Sequence, residues 1–342
     1  AAAAGEQGAA GAPAEAPEKA GADESMAMAR EEARTVIFGS LRSLMRKTGL
    51  KTKEIDFLII NCSLFAPTPS LCAMVANEFG LRRDCRTYNL SGMGCSAGVI
   101  AVDLAKQLLT NAPGSRAVVI STENLTQQLY HGKQKSMLLQ NTLFRVGGAA
   151  ILLSSRLGDG LWSKYKLLHT VRVQNAQDEA YGCVYQCEDG EGNRGIRLSK
   201  QVTTIAGRAL KDNLTLLAPH VLPLREQLSV VYTEALRRGA KALHALATKR
   251  GWSAAAIARL PKPPPIYVPD FKRGLHHFCI HAGGRAVIDG IEQNLRLSAE
   301  DTAASRATLR DYGNTSSSSI WYELANLEES GRLHAGHRVL QI

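Results

Sequence analysis

The chain of 342 residues carries a net charge of +10, with 45% apolar and 21% charged residues and seven cysteines. That is enough for one large domain or two fused halves with a sizeable core, in the proportions of a soluble globular enzyme. The positive balance points to an acidic partner, whether a phosphorylated ligand, anionic lipid or nucleic acid. Nucleic acid is the weakest of these, because no arginine-rich run is interleaved with aromatics and no zinc-finger spacing occurs.

No stretch approaches the roughly 18 apolar residues that cross a bilayer. The cysteines are scattered without CxxC pairs, which predicts reduced thiols in a cytosol-facing compartment. The sequence opens on Ala1 rather than methionine, as a fragment does, so an upstream membrane anchor stays open.

Residues 1–24 are an Ala/Gly/Pro/Glu mixture without hydrophobic period, read as a disordered leader. An amphipathic helix is predicted from Glu31 to Lys47, with Val36, Ile37, Leu41, Leu44 and Met45 on one face. Asp56–Cys62 reads as a short buried strand, followed by a Pro67/Pro69 loop and a helix over Leu71–Phe79. Cys85–Leu90 is a strand that runs into Asn89-Leu90-Ser91-Gly92-Met93-Gly94-Cys95-Ser96-Ala97-Gly98. The apolar helical period from Val99 to Leu109 places Cys95 at or near a helix start, where free N–H groups and the helix dipole favour a thiolate by roughly 0.3–1 kcal/mol. Two readings of Cys95 stand: a nucleophile, or a small residue filling the gap between helix and sheet. Ala117–Ile120 and Ala149–Leu153 are further strands. The alternation of strands and helices predicts an α/β layered fold with covered sheets.

The second half opens with a predicted strand at Tyr165–Val173 and a helix around Leu198–Leu217. Val230–Arg259 is helical in pattern and basic, with Arg237, Arg238, Lys241, His244, Lys249 and Arg250, and Pro261–Pro265 ends it. It reads as an insertion of about 230–265, either a solvated face or a contact with an anionic membrane. Two more turns then repeat the design at Cys95. Leu275–His281 runs as a strand into Ala282-Gly283-Gly284, with a helix over Arg285–Leu295. Gly313-Asn314-Thr315 and the serines Ser316–Ser319 open onto a helix over Ile320–Leu327.

His277, Cys279 and His281 share one face of that strand. On a helix, His277 and His281 would have metal-ligand spacing, but the glutamate of HExxH and a third ligand are missing, so a strand ending in a turn is preferred to a zinc site. Asn314 can be a plain helix cap. A histidine at a strand end opposite a cysteine, with an asparagine at a third such turn, also makes a candidate catalytic set.

Five stretches, in this order, resemble the plant-type 3-ketoacyl-CoA synthases, the condensing enzymes of very-long-chain fatty acid elongation. They are Asn61–Phe65 with Pro67-Thr68-Pro69-Ser70, Gly92–Gly98, Leu143–Ala150, His277–Gly284 and Gly313–Ser319, and the likeness covers about Glu31 to Ile342. The resemblance implies a thiolase-like layered αβαβα fold of two similar halves, one over 25–160 holding the cysteine and one over 161–342, truncated at its C-terminus. It also implies Cys95 as the acyl-accepting nucleophile, with His281 and Asn314 as the catalytic histidine and asparagine; His277 is a candidate supporting residue. The substrates implied are acyl-CoA and malonyl-CoA, with no metal or redox cofactor and no nucleic acid. A homodimer is implied, with other elongase components beside it. The location implied is the endoplasmic reticulum membrane, with the catalytic part facing the cytosol and anchored by segments absent from this chain.

The sequence departs from the family at Arg310-Asp311-Tyr312, where a histidine usually precedes the Gly-Asn turn. It departs again at Val171-Arg172-Val173-Gln174, where a histidine tends to follow Val-Arg-Thr. Three rival readings share some of these features: a type III polyketide synthase-like condensing enzyme, a cysteine acyl hydrolase, and a non-catalytic partner subunit. The last would be expected to lack one of the three residues, and none is lost.

Overall fold

The computed structural model describes residues 23–342 of the chain, so the predicted leader lies almost wholly outside the described residues. Helix α1 (Met26–Thr48) begins five residues before the predicted Glu31, because Ser25 caps it by accepting the Met28 N–H; Gly49, in the left-handed region, ends it. Strand β1 (Phe57–Asn61) is buried along its whole length. It runs parallel to β2 (Arg86–Leu90) and β3 (Arg116–Thr122), and β4 (Gly148–Ser154) adds antiparallel to β3, giving the order β2-β1-β3-β4.

The alternation along β1 and β3 sorts two cores. Leu58, Ile60, Val118 and Ile120 pack against α1 and α2 (Leu71–Phe79). Phe57, Ile59, Ala117 and Val119 pack against Ala101, Ala105 and Leu109 of α3 (Ala97–Asn111). Each large apolar side chain so buried contributes about 1.5–3 kcal/mol, which holds the sheet as the middle layer of three. Because β1, β2 and β3 are parallel, their carboxyl ends share one edge. That edge carries Asn61-Cys62, the turn to Cys95, and Thr122-Glu123. The carboxyl edge of parallel strands is where α/β folds bind ligands.

Beyond β4 the segment Tyr165–Val173 is not the predicted strand. Among the described residues it has no ladder partner, and side chains hold it to α3 instead: Thr170 Oγ1 donates to Asp103 Oδ1 at 2.6 Å and accepts from Lys106 Nζ at 3.3 Å. Five elements had not been predicted: α4 (Lys135–Leu143), the paired strands β5 (Val184–Glu188) and β6 (Arg194–Leu198), α9 (Ala303–Tyr312) and β8 (Val339–Gln341). Helix α5 spans Val202–Val221 and α6 spans Leu224–Lys249, and the short α7 (Ala254–Ile257) follows.

Strand β7 (His277–Cys279) pairs in parallel with β8. Its Phe278 and the following Ile280 pack with α5 and with α8 (Arg285–Leu295), while Cys279 faces Ala304 of α9 and Leu327 of α10 (Ser319–Glu329). The described strands of the second half thus fall into two separate pairs, β5 with β6 and β7 with β8, against one four-stranded sheet in the first, so the expected likeness of the two halves does not extend to sheet organisation among the described residues. The cysteines within the described region are free thiols.

Candidate active site

Cys95 lies in a single 3-10 turn, Gly94–Ser96, that leads straight into α3. Gly92 and Gly94, both at positive φ, make the turn possible. Gly98, one turn on, lets α3 close on the serine run: a Cβ there would run into the Ser317 carbonyl. This approach brings Ser316 Oγ to 3.7 Å from Cys95 Sγ and to 3.1 Å from Glu123 Oε2, to which it donates. Glu123, buried just past β3, accepts the Leu64 N–H at 2.9 Å and the Cys62 thiol at 3.4 Å on its other oxygen. Asn61 is fixed in turn between Ser121 Oγ (2.7 Å) and Ser317 Oγ (2.6 Å). The serine run is therefore a buried polar seam joining the two halves, and its members are 2% exposed or less.

Burial reverses the electrostatic expectation for Cys95. Desolvation pushes the thiol up to about 11, against a smaller lowering by the Ser316 hydrogen bond, and the nearby Glu123 pushes it further up. The dipole contribution expected of the helix start does not offset this, and the thiol is stored protonated at neutral pH. Alkylation of Cys95 by iodoacetamide, followed site by site by mass spectrometry, is expected to accelerate with pH well past 9. An inflection near 7 would contradict that environment.

His281 follows β7, and its N–H is held by the Ile342 carbonyl at 3.0 Å. Gly283 folds back against the ring, where an added Cβ would sit 3.0 Å from Cδ2. Burial lowers the basicity of the imidazole below its ordinary value while Glu323 raises it, leaving His281 neutral at pH 7 with one nitrogen free to accept a proton and the other to donate.

Asn314 is placed by Gly313 at φ 70° and by a short pairing with the end of α4. Its N–H reaches the Leu143 carbonyl at 2.9 Å, and its own carbonyl takes the Arg145 N–H at 2.9 Å. The Leu143–Ala150 stretch thus acts as the rail that seats Asn314. The side chain does two things. Oδ1 accepts the Ser316 N–H at 2.8 Å, which is a local cap, and Nδ2 donates to the Gly283 carbonyl at 3.4 Å, beside the imidazole.

Contacts therefore run without a break from Cys95 through Ser316 to Asn314, and from Asn314 through Gly283 to His281. Cys95 and His281 also line one open cleft of about 3680 Å³, whose walls include Val99, Ile100, Leu210, Leu214, Val287 and Ile291. His277 is engaged elsewhere. It is buried, with Nε2 2.9 Å from His337 Nδ1 in a cluster that includes His276 stacked on His337. Among the described residues no group of three or more His, Cys, Asp or Glu side chains is arranged to hold a metal ion. Glu123 and Ser316 were missed as site residues, although Ser316 lies in a stretch already singled out.

A family model described as FAE1/type III polyketide synthase-like protein matches residues 5–239, about two thirds of the chain. The chain belongs to this family. A second model, the C-terminal domain of chalcone and stilbene synthases, matches residues 273–338, which include His281 and Asn314. Among curated members, the chain is 53% identical to 3-ketoacyl-CoA synthase 4 of Arabidopsis thaliana over 93% of its own length and 58% of that protein's. It is 48% identical to the probable 3-ketoacyl-CoA synthase 20 of Oryza sativa subsp. japonica over 94% of its length and 58% of that protein's. The chain thus spans a little under three fifths of these relatives.

Two solved structures share the fold. One is the 1,3,6,8-tetrahydroxynaphthalene synthase of Streptomyces coelicolor A3(2), a bacterial type III polyketide synthase, with a TM-score of 0.61 and 21% identity over 93% of this chain and 75% of that one. The other is PKS-I of the brown alga Ectocarpus siliculosus, with a TM-score of 0.63 and 18% identity over 89% of this chain and 67% of that one. The family's fold is thiolase-like, as the five motifs implied.

Proposed function

We propose that the chain is the catalytic part of a 3-ketoacyl-CoA synthase that condenses a long-chain acyl-CoA with malonyl-CoA. The observation that carries this is that Cys95 and His281 line one cleft and are linked through Asn314 by Ser316 and Gly283, in a chain half identical to curated enzymes of that name. Cys95 loses its proton, with the neutral His281 as acceptor, and its sulfur attacks the acyl thioester; the bond to the CoA sulfur breaks and CoA leaves, protonated. Malonyl-CoA then loses CO2, and the electron pair of the broken bond flows to its thioester oxygen. The Nδ2 donor of Asn314 and a ring N–H of His281 are proposed to hold that oxygen. The carbon attacks the acyl-cysteine, and Cys95 leaves as thiolate and regains a proton. These steps ask for no metal or redox cofactor.

Incubating the full-length protein with a panel of acyl-CoAs and malonyl-CoA, with products read by mass spectrometry, tests the reading. 3-Ketoacyl-CoA two carbons longer than the starter is expected. Pyrones or aromatic polyketides would favour the type III polyketide synthase alternative, and free acid without chain extension would favour a hydrolase.

The homodimer, contact with other elongase components and residence at the endoplasmic reticulum membrane belong to the same proposal. No helix of the described residues is long and apolar enough to cross a membrane. Helix α6 has another fit to a bilayer, since only Glu226 and Ala247 along it are buried. Leu224, Leu228, Val231, Tyr232, Leu236, Leu243 and Leu246 are exposed along one side, with Arg225, Arg238 and Lys249 flanking them and Arg250 just beyond. Such a face lies in the headgroup region of anionic lipid, and each well-placed cation adds about 1 kcal/mol. Neutralising Arg238, Lys241, Lys249 and Arg250 together is expected to lower co-sedimentation with phosphatidylserine vesicles at least tenfold. Unchanged binding would remove α6 from the membrane contact.

A further inference from the structure

Behind His281 lies a carboxyl group that the proposed reaction does not use. Glu323 of α10 is fully buried. Its Oε2 accepts the Ser305 hydroxyl of α9 at 2.6 Å, and Ser305 Oγ in turn accepts the Ile280 N–H at 3.0 Å. Among the described residues its Oε1 has no hydrogen-bond partner, although the amides of Ile280 and Ala282 face the group. Glu323 and Ser305 together thus form a bracket under Cys279–Ala282, the strand end from which His281 projects.

The titratable groups facing Glu323 are both on that strand end, His281 and Cys279. The α9 wall offers the uncharged Ser305 and Ala304, and β8 offers Val339. Among the described residues no arginine or lysine neutralises the carboxylate, and the imidazole is the one group beside it that can become positive. A buried acid with one orphaned oxygen and no standing counter-ion is costly to keep, and well-packed apolar residues would serve stability better.

We propose that Glu323 is a positioning residue for His281: bracketed by Ser305, it holds the strand end that carries the imidazole and stabilises the positive charge His281 acquires on taking the Cys95 proton. The inference rests on the reading that His281 is that acceptor. Burial pushes the carboxyl up to about 8, with His281 opposing the rise. The fraction of Glu323 that can support an imidazolium therefore grows as pH climbs towards 8.

Two readouts test it on the full chain. The first is the rate of acyl loading onto Cys95 from a long-chain acyl-CoA, followed by protein mass between pH 6 and 9. Wild type is expected to speed up with an apparent pKa near 8. Glu323→Gln, which keeps the size and an acceptor for Ser305, is expected to lose that rise and to load about tenfold more slowly at pH 8, the size of an effect worth one pKa unit. Ser305→Ala is expected to slow loading and keep the rise.

The second readout is thermal stability, which needs no substrate. The raised acid binds its proton more tightly folded than unfolded, so it costs stability increasingly from about pH 4.5 to 8. The Tm of Glu323→Gln relative to wild type is therefore expected to improve by about 5 °C between pH 5 and pH 8. A constant Tm difference together with a wild-type loading profile in Glu323→Gln overturns the proposal. If that variant does not fold, Ser305→Ala decides: loading at the wild-type rate overturns it, and slowed loading with the rise retained supports it. Intact loading and Tm results without chain extension would instead sink the condensing function and leave the role of Glu323 standing.

Discussion

Cys95→Ala is expected to abolish both acyl loading and condensation while leaving slow decarboxylation of malonyl-CoA. The sulfur is the one group proposed to bond covalently to substrate. Its surroundings, Ser316 and Glu123, offer a hydroxyl and a buried carboxyl but no substitute nucleophile of comparable strength. Asn314 and His281 do not depend on the sulfur for their placement: Asn314 is seated by Leu143, Arg145 and Gly283, and His281 by Ile342. The donors proposed for the enolate oxygen survive the substitution. Radiolabelled acyl-CoA should leave no label on the protein, product should fall to background, and release of CO2 from labelled malonyl-CoA should persist. Condensation at the wild-type rate would falsify the covalent route.

Asn314→Ala is expected to do the converse. Cys95 still takes the acyl group, whereas decarboxylation and condensation fall by about 10²–10³, the cost of removing one donor from a developing oxyanion. The substitution also removes the Oδ1 cap on the Ser316 N–H, worth about 1 kcal/mol of stability. A small drop in Tm is therefore expected beside the large loss of rate, and the two measurements separate the roles of the two amide atoms. If loading fails together with condensation, Asn314 would instead be maintaining Ser316 at the sulfur. His281→Ala should damage both steps, since the imidazole is assigned the thiol proton as well as the enolate oxygen.

Much of this site was legible before any coordinates, because its parts are local. Glycines at 92 and 94, an apolar period from Val99, and a polar run after Gly313 are short-range signals of turns that open helices, and those helices are present. The basic stretch predicted as helical over Val230–Arg259 is helical only as far as Lys249, within a helix that begins at Leu224, and the turn at Arg250-Gly251 breaks it before the short α7; α6 is one of the least packed helices among the described residues. Tyr165–Val173 shows the converse. Its composition suits a strand, yet a strand exists only where another backbone pairs with it, and here Asp103 and Lys106 take the segment by its side chains instead.

By itself the sequence determined the residue types, the three turns and the chemistry they are suited to, since each depends on a few neighbouring residues. Tertiary structure alone decided their protonation and their company. The sulfur's environment turns on what packs over it, so a thiol at a helix start, expected to favour the thiolate, is held protonated by burial. Asn314 owes its place to a rail more than 160 residues upstream. Glu123 and Glu323 acquire meaning only where α3, the serine run and β7 meet, because desolvation and hydrogen bonding act through space rather than along the chain.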